Sequence, residues 1–216
     1  MTATASANDP PARTIGAVME LAPVIPVLVI EDLAHAVPVA RALVAGGLHA
    51  LEVTLRTPCA IDAIREMQQV EGAVVGAGTV TGTADLDAAL AAGSKFIVSP
   101  GLTENLGRAA VESGVPFLPG IATAADLMRG LDLGLTNFKF FPAATSGGIP
   151  ALKALAGPFG QARFCPTGGI NPQTAPDWLA LPFVRCVGGS WIVPKGTPDA
   201  AAIEEYARQA SVLARI

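Results

Sequence analysis

Short apolar runs alternate with Ala- and Leu-rich segments along most of the chain, and this alternation restricts the fold more than any other feature of the sequence. Each apolar run and the segment after it span about twenty residues, which is typical of a strand followed by a crossover helix. Such units place their strands parallel, with right-handed crossovers. Eight units can close, so the sequence predicts an α/β fold, a (β/α)8 TIM barrel. The eight runs begin near Val24, His49, Ala73, Phe96, Pro116, Asn137, Arg163 and Val184.

The chain of 216 residues fits one domain of this type better than two small ones. We expect residues 14–216 to form the barrel and residues 1–13, which are small and polar, to form a flexible tail. An open, doubly wound sheet is the alternative, but residues 24–32 lack the Gly-rich turn that binds dinucleotides. A short helix is predicted at residues 15–21, before the first strand, and further helices at residues 32–45, 58–70, 85–92, 104–113, 124–133 and 198–215.

The composition argues against a membrane or a nucleic acid as a partner. No apolar stretch reaches the roughly 18 uninterrupted residues of a membrane helix. The N-terminal segment has no cationic start followed by an apolar run, so we expect a cytoplasmic protein. The formal charge is −4, and the sequence has no Lys/Arg cluster that could follow a nucleic-acid backbone. An anionic ligand must therefore be bound by a few placed groups.

The few cysteines and histidines do not have the spacing of a metal site. The cysteines, Cys59, Cys165 and Cys186, are an odd number without paired spacing. The two histidines, His35 and His49, have no carboxylates at ligand spacing. Cys165 and Cys186 lie in apolar runs, as core thiols do. We expect neither a catalytic metal nor a cofactor.

One lysine lies inside an apolar run. Lys139 is part of the segment NFKFFP, residues 137–142, whereas the other three lysines fall in segments where a charge is easily solvated. Lysine is rarely buried unless it is paired or functional. Burial lowers the pKa of an amine and can produce a neutral nucleophile. The residue is therefore either part of a structural ion pair or strand end, or a reactive amine.

Polar residues alternate with apolar ones where the second strand ends, in the segment LEVTLRTP, residues 51–58. Glu52, Thr54 and Arg56 are spaced by two and share one side if the strand stays extended. A carboxylate inside a barrel is unfavourable unless a partner or a substrate uses it. One interpretation is a Glu52–Arg56 ion pair. In the other, Glu52 is a general acid/base and Arg56 binds a substrate carboxylate through two parallel hydrogen bonds.

Glycine pairs follow the last two strands, in TGG at residues 167–169 and GGSW at residues 188–191. Barrels bind phosphate at this position with backbone N–H groups, and Ser190 adds a hydroxyl donor. Thr79, after the third strand, offers a hydroxyl at the same rim. The predicted rim thus combines an amine, a carboxylate, an arginine and a phosphate site, which favours imine chemistry on a ketone.

Eight motifs occur in the following order: LEVTLRTP, VGAGTV, SPGLTE, LPGIAT, KFFPA, LKALAGPF, FCPTGGI and VGGSW. Together they resemble the 2-dehydro-3-deoxy-6-phosphogluconate (KDPG) aldolases, a family often bifunctional with 4-hydroxy-2-oxoglutarate (KHG) aldolase, over roughly residues 24–194. The resemblance implies a homotrimeric class I aldolase on a (β/α)8 barrel, acting in the Entner–Doudoroff pathway. The implied substrate is a phosphorylated 2-keto-3-deoxy sugar acid, cleaved to pyruvate and glyceraldehyde 3-phosphate.

The same resemblance implies a role for each matching residue. Lys139 would form the Schiff base, Glu52 would shuttle protons, and Arg56 would anchor the pyruvate carboxylate. The other implied substrate-binding residues are Thr79 at the carboxylate, Pro100 and Phe141 at the pyruvyl unit, Gly168, Gly169, Gly189 and Ser190 at the phosphate, and Thr167.

Three alternatives remain open from the sequence. An aldolase for the phosphogalactonate epimer would use the same chemistry on a substrate that differs at C4. A phosphosugar isomerase or epimerase could use the same barrel and phosphate site, but such enzymes usually work with carboxylates or a metal. A phosphometabolite-binding barrel without turnover gains little from a desolvated amine, which argues against it.

Overall fold

A computed structural model describes residues 14–215 of the chain, so the predicted tail at residues 1–13 lies outside the described residues. Within that range the strands follow one another in a regular rhythm with helices between them, as the alternating pattern predicts. The strands are β1 (Val24–Leu28), β2 (Ala50–Thr54), β3 (Val74–Gly78), β4 (Ile97–Val98), β5 (Phe117–Leu118), β6 (Gly120–Ile121), β7 (Asn137–Phe140), β8 (Arg163–Pro166) and β9 (Val187–Gly189).

Every strand pairing in the sheets is parallel, which confirms the predicted α/β architecture. The hydrogen-bonded ladders form two sheets, one of six strands in the order β5-β4-β3-β2-β1-β9 and one of three in the order β6-β7-β8. The structure thus shows a curled parallel sheet, where the sequence predicts one continuous eight-stranded ladder. The two sheets part at Pro119, between β5 and β6, and again between β8 and β9.

The helices agree with the predicted segments, although most are shorter. The helix at residues 104–113 has the predicted bounds, and Thr123 with Asp126 forms a capping box at the start of a later one. No helix described in residues 14–215 is long and apolar enough to cross a membrane. The helices are α1 (Ile15–Glu20), α2 (Ala36–Ala45), α3 (Ala60–Met67), α4 (Thr83–Ala91), α5 (Glu104–Ser113), α6 (Ala124–Asp132), α7 (Gly148–Ala156), α8 (Ala175–Leu179) and α9 (Ala200–Ser211).

The two faces of the strands belong to different apolar clusters. In β2, Leu51 and Val53 belong to the large cluster shared with the helices, whereas Ala50 belongs to a smaller one. Because side chains alternate along a strand, Glu52 shares the face of Ala50. Leu51 and Val53 therefore face the helices, and a carboxylate on the other face needs a partner there.

Helix α1 contributes to the smaller cluster with Val18 and Met19, both fully buried. This confirms the helix predicted before the first strand. The Thr14 hydroxyl accepts a hydrogen bond from the Ala17 N–H and caps its start. The Arg215 guanidinium donates to the Met19 and Glu20 carbonyls, which ties the C-terminal end of the described chain to the helix.

Met19→Ala should lower the free energy of unfolding by about 2–5 kcal/mol, because it opens a cavity among buried side chains. Met128 in α6 is a matched control, since the same truncation there removes a side chain that is 56% exposed. Met128→Ala should change the free energy by no more than about 0.5 kcal/mol. Urea denaturation measures both values, and equal losses would contradict the assignment of Met19 to the core.

Candidate active site

A buried ion pair joins the two residues predicted to react. The Lys139 ammonium in β7 lies 3.0 Å from the Glu52 carboxylate in β2, and the two residues are 5% and 3% exposed. The predicted burial of Lys139 is confirmed, and Lys95, Lys153 and Lys195 are exposed. From the sequence, an ion pair was one interpretation of Lys139 and also of Glu52. The structure shows that these two residues pair with each other.

The strand register brings this pair together. Lys139 is the Cα partner of Gly120 on one side and of Cys165 on the other. Because Cys165 belongs to the smaller apolar cluster, Lys139 projects toward the same side as Glu52. The Phe141 ring centroid is 5.4 Å from the Lys139 Nζ atom, so an aromatic face lies beside the amine.

Arg56 is not in the extended strand that the spacing required. Strand β2 ends at Thr54, and the Arg56 N–H donates to the Thr54 carbonyl in a tight turn. The side chain is exposed, and its Nε donates to the Thr79 hydroxyl at 3.4 Å. Among residues 14–215 no carboxylate lies within ion-pair distance of Arg56, so the guanidinium can accept an anionic ligand.

Two hydroxyls fix the turn that carries Arg56. The Thr54 hydroxyl donates to the Leu28 carbonyl at 2.7 Å, and the Thr57 hydroxyl donates to the Ile30 carbonyl at 2.6 Å. Both acceptors belong to β1 and the loop after it. These bonds join the ends of β1 and β2 beyond their ladder, and Arg56 lies between the two donors.

Thr79 has a backbone conformation that L-residues rarely adopt. Its φ is 59°, and it is the one residue other than glycine with positive φ in residues 14–215. A β-branched residue in this region is strained by about 1–3 kcal/mol. The flanking backbone is held on both sides, since the Gly78 carbonyl accepts from the Leu55 N–H and the Val80 N–H donates to the Val98 carbonyl. This backbone conformation places the Thr79 hydroxyl next to Arg56.

A cavity of about 320 Å³ brings most of the predicted substrate-binding residues together. Gly168 and Gly169 have positive φ of 100° and 76°, so their backbone forms a loop that a side chain would strain. The predicted residues that line the cavity are Arg56, Thr79, Pro100, Phe141, Thr167, Gly168, Gly169 and Ser190.

The cavity also includes residues that the sequence analysis missed. Val27 and Val29 line it from the end of β1, and Gly188 lines it where Gly189 was predicted to. Gly189 is buried in β9 and is not part of the lining described within residues 14–215. A Cβ on Gly188 would meet the Thr167 side chain, with Cγ2 at 2.7 Å. Alternation along the last strand could have predicted Gly188 instead of Gly189, because Gly188 and Ser190 share one face.

Two of the three cysteines belong to the core. Cys165 and Cys186 are buried free thiols, which confirms their prediction as core residues. Burial raises the pKa of the Cys186 thiol, and the neighbouring Cys165 thiol acts in the same direction. Within residues 14–215, no three His, Cys, Asp or Glu side chains are grouped so that they could hold a metal ion.

Comparison with known proteins identifies close relatives. The family model of the KDPG and KHG aldolases matches residues 15–206. A 2-dehydro-3-deoxy-phosphogluconate aldolase of Zymomonas mobilis is 61% identical over 203 residues, which covers 94% of this chain and 98% of the relative. A KHG/KDPG aldolase of Escherichia coli is 53% identical over 197 residues, which covers 89% of this chain and 92% of the relative.

Solved structures agree with these matches. The crystal structure of the Zymomonas mobilis aldolase with 3-phosphoglycerate has a TM-score of 0.93 at 61% identity and covers 94% of this chain and 97% of its own. The structure of a KDPG aldolase of Legionella pneumophila holds pyruvate as a covalent carbinolamine intermediate. Its TM-score is 0.89 at 48% identity, with 92% of this chain and 98% of its own covered.

Thr79→Gly should weaken ligand binding without destabilising the fold. Glycine adopts positive φ freely, so the substitution removes strain while it removes the hydroxyl next to Arg56. We expect the free energy of unfolding to stay equal or rise by up to about 1 kcal/mol. Urea denaturation and pyruvate binding measure the two effects. A loss of stability larger than the loss of binding would contradict the strain at Thr79.

Proposed function

The chain belongs to the KDPG and KHG aldolase family, and we propose that it is a class I aldolase that forms its Schiff base on Lys139. Its main substrate is 2-dehydro-3-deoxy-6-phosphogluconate, which it cleaves reversibly to pyruvate and glyceraldehyde 3-phosphate in the Entner–Doudoroff pathway. It also cleaves 4-hydroxy-2-oxoglutarate to pyruvate and glyoxylate, in line with the double name of the Escherichia coli relative. The observation that carries the proposal is the buried contact between Lys139 and Glu52.

The ion pair provides the nucleophile for the first step. A proton that moves from the Lys139 ammonium to the Glu52 carboxylate leaves a neutral amine 3.0 Å from a carboxylic acid. The amine attacks the C2 ketone and forms a carbinolamine. Loss of the C2 hydroxyl as water, with a proton from Glu52, gives the protonated imine. The carbinolamine captured in the Legionella pneumophila relative supports this route.

The protonated imine then accepts the electrons of the C3–C4 bond. Glu52, acting directly or through one water, takes the proton of the C4 hydroxyl, and the C4 oxygen becomes the carbonyl of the departing aldehyde. An enamine remains on Lys139. Protonation at C3 and hydrolysis of the imine release pyruvate and restore the amine, so the same carboxyl group acts in turn as acid and base.

The residues around the cavity orient the substrate. The Arg56 guanidinium and the Thr79 hydroxyl hold the carboxylate at C1, and Pro100 and Phe141 contact the apolar face of the pyruvyl unit. The phosphate lies at the opposite end, on backbone N–H groups and a hydroxyl. The residues proposed there are Gly168, Gly169, Gly189 and Ser190. Thr167 and Gly188 line the same cavity, and Gly188 precedes Gly189 in the chain.

The assembly proposed for this chain follows the family. Bridges pair Phe164 with Val184 and Thr167 with Gly188, and they support closure of the two sheets into one eight-stranded (β/α)8 barrel. Residues 14–216 form this single catalytic domain. We propose a homotrimer from the family resemblance, and a cytoplasmic location because phosphorylated sugar acids are ionised and do not cross membranes unaided.

Lys139→Met should abolish pyruvate release, lowering kcat at least about 10⁴-fold, because no other group supplies the imine route. Methionine keeps the volume of the lysine stem, and circular dichroism checks the fold. Lys153→Met, in α7, is the control, since Lys153 is exposed and should retain the wild-type rate. A coupled assay with lactate dehydrogenase measures pyruvate. Retained turnover in the Lys139 variant would refute the proposal.

Ser190→Ala should raise KM for the phosphorylated substrate by about 10- to 100-fold, since a hydrogen bond to a charged group contributes about 1.5–3 kcal/mol. The KM for 4-hydroxy-2-oxoglutarate, which has no phosphate, should stay unchanged. The second substrate thus serves as the control within one variant. An equal rise in both KM values would show that Ser190 does not bind the phosphate.

A further inference from the structure

The Glu52 carboxylate lies over a strand position that has no side chain. If a Cβ were added to Gly78 in β3, its three nearest heavy atoms would all belong to Glu52. Cγ and Cδ would be 2.6 and 2.8 Å away, and Oε1 would be closer still. The same Oε1 atom forms the 3.0 Å contact with the Lys139 Nζ atom. The space above Gly78 is therefore occupied by the carboxylate in the position where it meets the amine.

The backbone at Gly78 does not itself require glycine. Its φ is not positive, it is buried in β3, and it pairs in register with Thr54. Glycine within a strand is less favourable than alanine, because it loses more conformational freedom on folding. The reason for glycine at this position must lie in what occupies the space beside it.

Two other tight glycines in strands, Gly76 and Gly120, are limited by the backbone instead. A Cβ on Gly76 would meet the Phe96 carbonyl oxygen at 2.5 Å, and one on Gly120 would meet the backbone of Pro100 and Gly101. Those contacts can be relieved only if strands move. At Gly78 the obstacle is the far end of one flexible side chain, which can rotate away without disturbing the sheet.

We propose that Gly78 is a positioning residue for proton transfer. Because it has no side chain, the Glu52 carboxylate can occupy the space beside it and stay in contact with Lys139. The proposal rests on the proposed function of Glu52 as the proton shuttle. With a methyl group at residue 78 the carboxylate must leave the amine, while the fold and the substrate-binding residues stay in place. Gly78 thus acts on the rate of the chemical steps and not on affinity.

Gly78→Ala should still fold, as circular dichroism would show, but with a lower melting temperature because the buried pair is separated. It should lower kcat about 10- to 10³-fold, within the range typical of general acid/base catalysis. The KM should change less than about threefold, because Arg56 and the phosphate loop are untouched. Gly82→Ala is the matched control, since a Cβ there has nothing within 4 Å. It should retain the wild-type kcat. A wild-type kcat for Gly78→Ala, or a rise in KM that accounts for its whole effect, would overturn the proposal.

A double-mutant cycle with Glu52→Gln separates this proposal from the function of Glu52 itself. If Gly78 acts through Glu52, adding Gly78→Ala to Glu52→Gln should lower kcat no more than about twofold further. Independent losses that multiply would overturn the positioning role and leave the shuttle intact. A wild-type kcat for Glu52→Gln would refute both, whatever Gly78→Ala does.

Discussion

The 3.0 Å contact between Lys139 and Glu52 is the interaction on which the rest of the site depends. Two charges inside the sheet are unfavourable alone, and loss of one partner from a buried pair costs about 3–5 kcal/mol. The pair therefore fixes both side chains in one arrangement. In this arrangement the Lys139 amine can pass its proton to Glu52 and then attack a substrate carbonyl. The neighbouring strands must leave room for this arrangement, and Gly78 in β3 does so.

The site divides its tasks between strands and turns. The proposed reacting groups lie within β2 and β7, where ladders on both sides hold the backbone. The groups proposed to hold the two ends of the substrate lie just beyond strand ends, as Arg56 and Ser190 do. A turn can offer free backbone N–H groups to a ligand, whereas the backbone groups inside a strand are already paired. Side-chain bonds from Thr54 and Thr57 give the Arg56 turn a rigidity that a ladder would otherwise provide.

The sequence predicts much of this because burial of a charge is visible in an apolar run. Lys139 and Glu52 stand out for that reason, and the helix at residues 104–113 is predicted because its segment lies between two apolar runs. Their mutual contact is not visible, because it depends on a register between strands 87 residues apart. The positive φ of Thr79 and the turn at Arg56 were missed, since tertiary hydrogen bonds override local preference there.

Reduction with borohydride in the presence of pyruvate, followed by peptide mass mapping, shows directly whether Lys139 forms the imine. We expect one pyruvyl adduct, on the peptide that contains Lys139. The structure describes all four lysines, and among them only Lys139 is buried beside an acid/base group. Protein reduced without pyruvate is the control. An adduct on Lys95, Lys153 or Lys195 instead, or none at all, would contradict the assignment of Lys139 as the imine-forming residue.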